Sequence, residues 1–274
     1  MKTLFKPIRP LSLVTGLLIA LTGAASALSH ELWIEAEAYQ VSPNAQVVAR
    51  FMNGEMFEGI KIGWFATRSA RFEYALGGKV TRIAPRMGDN PALVTDAPGE
   101  GLMVVAYETT PDRVTYREWD KFLAFTEHKD FRGAAALHDA RGLPREPFVE
   151  AYTRHVKALI GIGGAAGADR AMGLETEFVA RANPYTDDLG AGFPVQLFYR
   201  GAPRADAQVE IFDRDPGGAV TVTLARTDAQ GRATIPVTPG HTYLLDAVVL
   251  RPAPKGGVPV WETLWAGLTF AVPG

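Results

Sequence analysis

Five histidines are the main metal-ligating resource of this 274-residue chain: His30, His128, His138, His155 and His241. The chain has no cysteine, which excludes thiolate metal sites, disulfides and thiol nucleophiles. His30 is singled out by what precedes it. Residues 1–10 carry Lys2, Lys6 and Arg9, residues 11–25 are apolar, and Ala25-Ser26-Ala27 reads as a small-x-small cleavage site. The expectation is a signal peptide over 1–27, with a cut behind Ser29 as the alternative. A cut behind Ala27 leaves Leu28-Ser29-His30, where the α-amine, two backbone nitrogens and the imidazole can wrap a square-planar Cu(II) or Ni(II). A cut behind Ser29 makes His30 the first residue, with amine and ring chelating as a pair. The competing reading is that His30 only packs against or caps a first strand.

His128 and His138 stand beside Glu127 and Asp139, carboxylates able to orient a metal-binding ring. A fold that brought His30 near one of them would make a two- or three-nitrogen site. Met52, Met56, Met87 and Met103 offer soft thioethers for Cu(I), although filling gaps in a core is the ordinary role of methionine. His155 reads as a core residue and His241, after Pro239-Gly240, as part of a turn.

Other chemistry finds little support. Beyond Ser29 the only serines are Ser42 and Ser69, and neither sits in a Gly-x-Ser-x-Gly turn. His30-Glu31-Leu32-Trp33-Ile34 lacks the second histidine of a zinc-protease helix. The glycine-rich stretch 161–167 reads as a flexible linker. Asp213-Arg214-Asp215-Pro216-Gly217-Gly218, and Asn183 with Asp187 and Asp188, fall short of a calcium loop and read as solvated turns. The expected function is therefore binding, not enzymatic catalysis.

These residues must be positioned by a mainly β chain. At 47 % hydrophobic residues a sizeable core is available. Loss of the leader would take the formal charge from −2 to −5, which argues against nucleic acid as partner. No later apolar stretch approaches the roughly 20 residues of a membrane span. Short alternating runs such as Gln46-Val47-Val48-Ala49-Arg50-Phe51, Gly63-Trp64-Phe65-Ala66 and Leu102-Met103-Val104-Val105-Ala106-Tyr107 predict an N-terminal β-sandwich over 28–115. A small α-helical insert is expected over 116–174. Its second helix would start at Pro147 and present Phe148, Tyr152, His155 and Leu159 on one face, with Glu150, Arg154 and Lys157 filling much of the rest. Seven further strand-like runs predict a C-terminal immunoglobulin-like β-sandwich over 175–274.

Several segments together resemble a known family. They are His30-Glu31-Leu32-Trp33-Ile34-Glu35, Tyr116-Arg117-Glu118-Trp119, Tyr152-Thr153-Arg154-His155, Ala182-Asn183-Pro184-Tyr185, Phe198-Tyr199-Arg200-Gly201-Ala202-Pro203 and Thr227-Asp228-Ala229-Gln230-Gly231-Arg232. The chain resembles the DUF4198 family, periplasmic proteins grouped with nickel and cobalt uptake components. The resemblance implies a periplasmic accessory that binds Ni(II), Co(II) or Cu(II) and passes it to a membrane transporter. His30 would be the primary ligand and His128 or His138 a secondary one. The alternative is a metal-independent adaptor that docks an outer-membrane receptor or transporter through sandwich loops and exposed aromatics such as Trp261 and Trp265.

Overall fold

The computed structural model describes residues 30–274, so the leader and both expected cleavage positions lie outside the described residues. The chain is mainly β, 51 % strand against 8 % helix. Its strands form three stacked layers. The middle layer is a ten-stranded sheet whose main path runs Val220–Arg226, Gln208–Arg214, Thr242–Pro252, Pro259–Ala271, Phe148–Ile162, Gly101–Thr109, Ser69–Leu76 and Lys79–Arg82. Gln40–Val41 and Asp112–Tyr116 add short pairings to Phe148–Ile162. One outer layer comprises Glu31–Ala36, Gln46–Glu55, Glu58–Ile62 and Leu93–Asp96. The other comprises Thr176–Ala180, Phe193–Tyr199, Ala202–Pro203 and Arg232–Ile235. The sandwiches expected from the two ends of the chain thus share one continuous middle sheet.

Side chains alternate across a strand, so a sheet covered on both faces must be apolar at successive positions. In Gly101–Thr109, Leu102, Val104 and Ala106 enter the core against the C-terminal layer. Their neighbours Met103, Val105 and Tyr107 enter the core against the N-terminal layer. The same rule corrects one expectation. Residues 148–159 are not a helix but most of a 15-residue strand, Phe148–Ile162, antiparallel to Gly101–Thr109 and parallel to Pro259–Ala271. Glu150, Arg154 and Lys157, expected on a solvated helix face, are 0 %, 4 % and 1 % exposed. Each has an internal partner. Lys157 Nζ, for example, lies 2.8 Å from Asp169 Oδ1 and donates to the Phe178 carbonyl.

The stretch 161–167 is also not a free linker. A Cβ on Gly161 would meet the Tyr185 ring at 3.0 Å, so only glycine permits that approach. Tyr185 Oη donates to the Leu159 carbonyl, and Asn183 Nδ2 donates to the carbonyls of Ala165 and Gly167.

Two short helices, Trp119–His128 and Ala134–Ala140, follow Asp112–Tyr116. The first buries Trp119, Phe122 and Phe125 against Phe148, Trp261 and Trp265. Its C-terminal end delivers His128 and the next residue, Lys129, to one face of the middle sheet, over Gln208–Arg214, Thr242–Pro252 and Pro259–Ala271. No helix among the described residues is long and apolar enough to cross a membrane.

Candidate functional site

Lys129 occupies a buried ionic chamber. Its Nζ lies 2.6 Å from Glu210 Oε2, 3.0 Å from Asp246 Oδ2 and 3.5 Å from Glu31 Oε1. Glu31 comes from the first outer strand, Glu210 from Gln208–Arg214 and Asp246 from Thr242–Pro252. All four residues are buried. Burial pushes the Glu31 carboxyl up to about 7 despite the ammonium beside it. Asp246 is raised by burial too. Glu210 moves the other way, because the hydrogen bond from His128 and the Lys129 charge outweigh its burial. The Lys129 ammonium, opposed by burial, is held above the ordinary lysine range by its three carboxylates.

Arg154 and Glu150 extend the chamber. The Arg154 guanidinium lies 3.9 Å over the Trp265 ring and donates from Nη2 to the His30 carbonyl. Glu150 accepts from Tyr116 Oη at 3.1 Å and from Thr263 Oγ1 at 2.5 Å, and burial pushes it up to about 7. Lys129 and Arg154 thus share a chamber with four carboxyl groups, of which Glu31 and Glu150 are poised to hold protons near neutrality. Glu31, Glu210 and Asp246 bring carboxylate oxygens within 4.8 Å of one another, close enough to grip a metal. The position among them is taken by the Lys129 ammonium, so this triad is an internal ion cluster.

Above the chamber lies a cavity of about 100 Å³ whose lining includes Glu31, Glu55, Met56, His128, Glu210 and Phe212. His128 Nε2 is 2.9 Å from Glu210 Oε1, and the ring is half exposed. That hydrogen bond raises the His128 pKa against the opposing effect of burial. Glu55 ends the strand Gln46–Glu55, and its Oε1 lies 3.3 Å from His30 Nε2. His30 is exposed, with Asn53 Nδ2 3.5 Å from its Nδ1. The structure thus sets two of the expected ligands about one cavity: His128 in its wall, and His30 beside Glu55 of that wall.

Met56 reaches the cavity through an unusual turn. Gln46–Glu55 and Glu58–Ile62 are joined by Met56 and Phe57, whose φ angles are 54° and 58°. Non-glycine residues at positive φ are uncommon, and strain of this kind gathers at functional sites. Two glycines make the hairpin possible. Gly54 and Gly59 face each other, and a Cβ on Gly54 would collide with the Glu58 carbonyl. Phe57 anchors the turn, buried edge-on against Trp33 at 5.3 Å with the Arg214 guanidinium 4.2 Å above its ring. Arg214 is held in turn by Glu35, which also accepts from Trp33 Nε1. Met56 remains exposed at the cavity mouth.

His138 lies elsewhere. It is fully buried among Trp119, Phe122 and Phe148; its Nδ1 accepts from Trp261 Nε1 at 3.0 Å, and its Nε2 lies 3.0 Å from the Pro144 carbonyl. Both ring nitrogens are engaged, which is a structural role. Trp261 and Trp265, considered as exposed docking aromatics, are each 1 % exposed. His155 is buried as expected, though on a strand, and His241 Nδ1 pairs with Asp213 Oδ1 at 2.6 Å. Asp187 and Asp215 accept backbone hydrogen bonds within their turns.

The sequence reading did not find Lys129, Glu210 or Asp246. A signal was available. Glu210 sits between Val209 and Ile211, and Asp246 between Leu245 and Ala247, and an acid inside an apolar strand must have a buried partner.

Comparison with known proteins is sparse. No curated protein matches. Among solved structures the chain has weak likenesses to a tetra-tandem repeat in the extending region of a large adhesion protein (7 % identity, 89 % of this chain and 49 % of that one, TM-score 0.22). It also has one to the D0-D1 domain of intimin (11 %, 88 % and 97 %, 0.19). A third is to Salmonella α-2-macroglobulin reacted with methylamine (13 %, 90 % and 15 %, 0.19). The chain spans about half of the adhesion-protein repeat, and at these TM-scores none of the three bears on its function. The family comparison is decisive by contrast: residues 27–251 match the domain of unknown function DUF4198, and the chain belongs to that family.

Proposed function

We propose that this protein is a periplasmic accessory that binds a transition metal ion, Ni(II), Co(II) or Cu(II), and passes it to a membrane transporter. The observation that carries the reading is the strained Met56-Phe57 turn, which holds a thioether at the mouth of a cavity flanked by His30 and His128. Imidazole nitrogens suit all three ions, and a thioether adds affinity for copper in its reduced state. His30 and His128 are the imidazole ligands, Met56 is the soft donor, and Glu55 and Glu210 orient the two rings. The ion is cargo: it sits at an exposed mouth from which it can leave, above a chamber whose own cation is Lys129. The resemblance that groups this family with nickel and cobalt uptake supports the same reading.

The test is native mass spectrometry of protein purified from the periplasm, with and without added Cu(II) and Ni(II). One spectrum reports the mature start and the metal stoichiometry together. The expected result is one tightly held ion, with at least tenfold weaker binding for His30→Ala and for His128→Ala. Unchanged affinity in both variants overturns the assignment.

A further inference from the structure

Leu32 leaves the first outer strand on the face opposite Glu31 and lines a second, larger cavity of about 710 Å³. Pockets that enclose small molecules run from roughly 300 to 1,000 Å³ and combine an apolar lining with a few placed polar groups. This one has both. Ile60, Ile62 and Phe65 form an apolar wall. Ile60 is 68 % and Phe65 41 % exposed, so large apolar side chains face the cleft uncovered. The lining also carries two arginines. Arg154 lies in the lining, only 4 % exposed and held in place by the Trp265 ring, the Tyr152 ring at 5.2 Å and the His30 carbonyl. Arg68 stands at the rim, exposed, and no carboxylate pairs with it among the described residues. Thr67, Thr109 and Thr110 also line the cleft; the Thr109 hydroxyl accepts from the Arg154 backbone N–H and the Thr110 hydroxyl donates to the Thr67 carbonyl. Asp112 is the one carboxylate in the lining, and it interacts with the Tyr152 hydroxyl.

We infer that this cleft binds a small organic monocarboxylate with an apolar or aromatic body. Arg68 receives the carboxylate in a charge-assisted contact. The body lies along Ile60, Ile62 and Phe65. An inorganic anion would leave that wall exposed to water, and a neutral ligand would forgo the contact with Arg68. The assignment does not rest on metal binding at the other cavity.

Isothermal titration of the EDTA-treated protein tests it, with phenylacetate, phenylacetamide and inorganic phosphate as probes. Phenylacetate is expected to bind saturably at one site. The amide is expected to bind at least tenfold more weakly, and phosphate to give no saturable heat. Arg68→Gln, at an exposed position and with the fold checked by circular dichroism, is expected to weaken phenylacetate at least tenfold. Phe65→Ser weakens phenylacetate and the amide alike. His30→Ala changes neither, which separates this site from the metal site. Absence of phenylacetate binding, equal affinity for the amide, or an unchanged constant in Arg68→Gln overturns the inference.

Discussion

Replacing Lys129 by methionine tests whether the chamber is held together by its one ammonium. Three carboxylate oxygens lie 2.6, 3.0 and 3.5 Å from Nζ. At an effective dielectric constant of about 20, each such contact contributes roughly 5 to 6 kcal/mol of attraction, much of it offset by the desolvation of the ammonium. Removing one partner of a buried pair costs about 3–5 kcal/mol, because the remaining charge has nothing to neutralise it. Lys129→Met is therefore expected to lose about 3–5 kcal/mol at pH 8. The loss must depend on pH. Without the ammonium, the carboxyl groups of Glu31 and Asp246, already raised by burial, rise further above their unfolded values. A raised carboxyl stabilises the fold while protonated and loses that contribution as pH climbs through its folded pKa. The gap between wild type and variant should thus narrow from pH 8 to pH 5. Urea unfolding followed by tryptophan fluorescence reads both, since Trp265 lies under Lys129 at 4.6 Å. Adding Glu210→Gln to Lys129→Met should recover part of the loss. A gap below about 1 kcal/mol at pH 8, or one that pH does not alter, would refute the reasoning.

Further outcomes follow from other sites. Burial lowers the His155 pKa to about 4, so the unfolded chain takes up its proton first and stability falls as pH drops from 6.5 towards 4. His155→Gln removes that dependence, and its stability relative to wild type should rise by about 3 kcal/mol between pH 7 and pH 4 in urea titrations. His138→Leu leaves the Trp261 indole N–H without its acceptor and should cost about 1–3 kcal/mol, while Cu(II) and Ni(II) affinity measured by titration stays unchanged. Met56→Gly separates turn strain from metal ligation: relief at φ 54° should stabilise the fold by up to about 1 kcal/mol, while affinity for Cu(I) falls.

The legible parts of the fold were strands that show a simple pattern. Runs predicted at 46–51 and 102–107 lie inside the observed strands Gln46–Glu55 and Gly101–Thr109. The central strand was illegible because both of its faces are covered. Its spacing of Phe148, Tyr152, His155 and Leu159 matches a helix, and its internal charges imitate a solvated face. Gly63-Trp64-Phe65-Ala66 carries strand-like residues, yet Ala66–Arg68 turns as a 3₁₀ helix at the rim of the larger cavity. For the metal proposal, residue types were readable and proximity was not. His30 and His128 stand out as nitrogen donors. The approach of His30, through Glu55, to the cavity that His128 lines depends on a hairpin tip and a helix end brought together by sheet pairings that no local pattern encodes.

The middle sheet also sets an order of assembly. Phe148–Ile162 pairs in parallel with Pro259–Ala271, the last strand of the chain. Contacts so distant in sequence carry a large loop-closure cost and slow folding. Residues 148–162 are synthesised roughly a hundred residues before that neighbour, so they can pair first with Gly101–Thr109 and Asp112–Tyr116, and the middle sheet closes only when the last strand arrives. Cut between its halves, the protein should give two fragments that stabilise each other when mixed, because Ala75, Leu102, Val104, Ala106 and Leu159 complete the core of the C-terminal half.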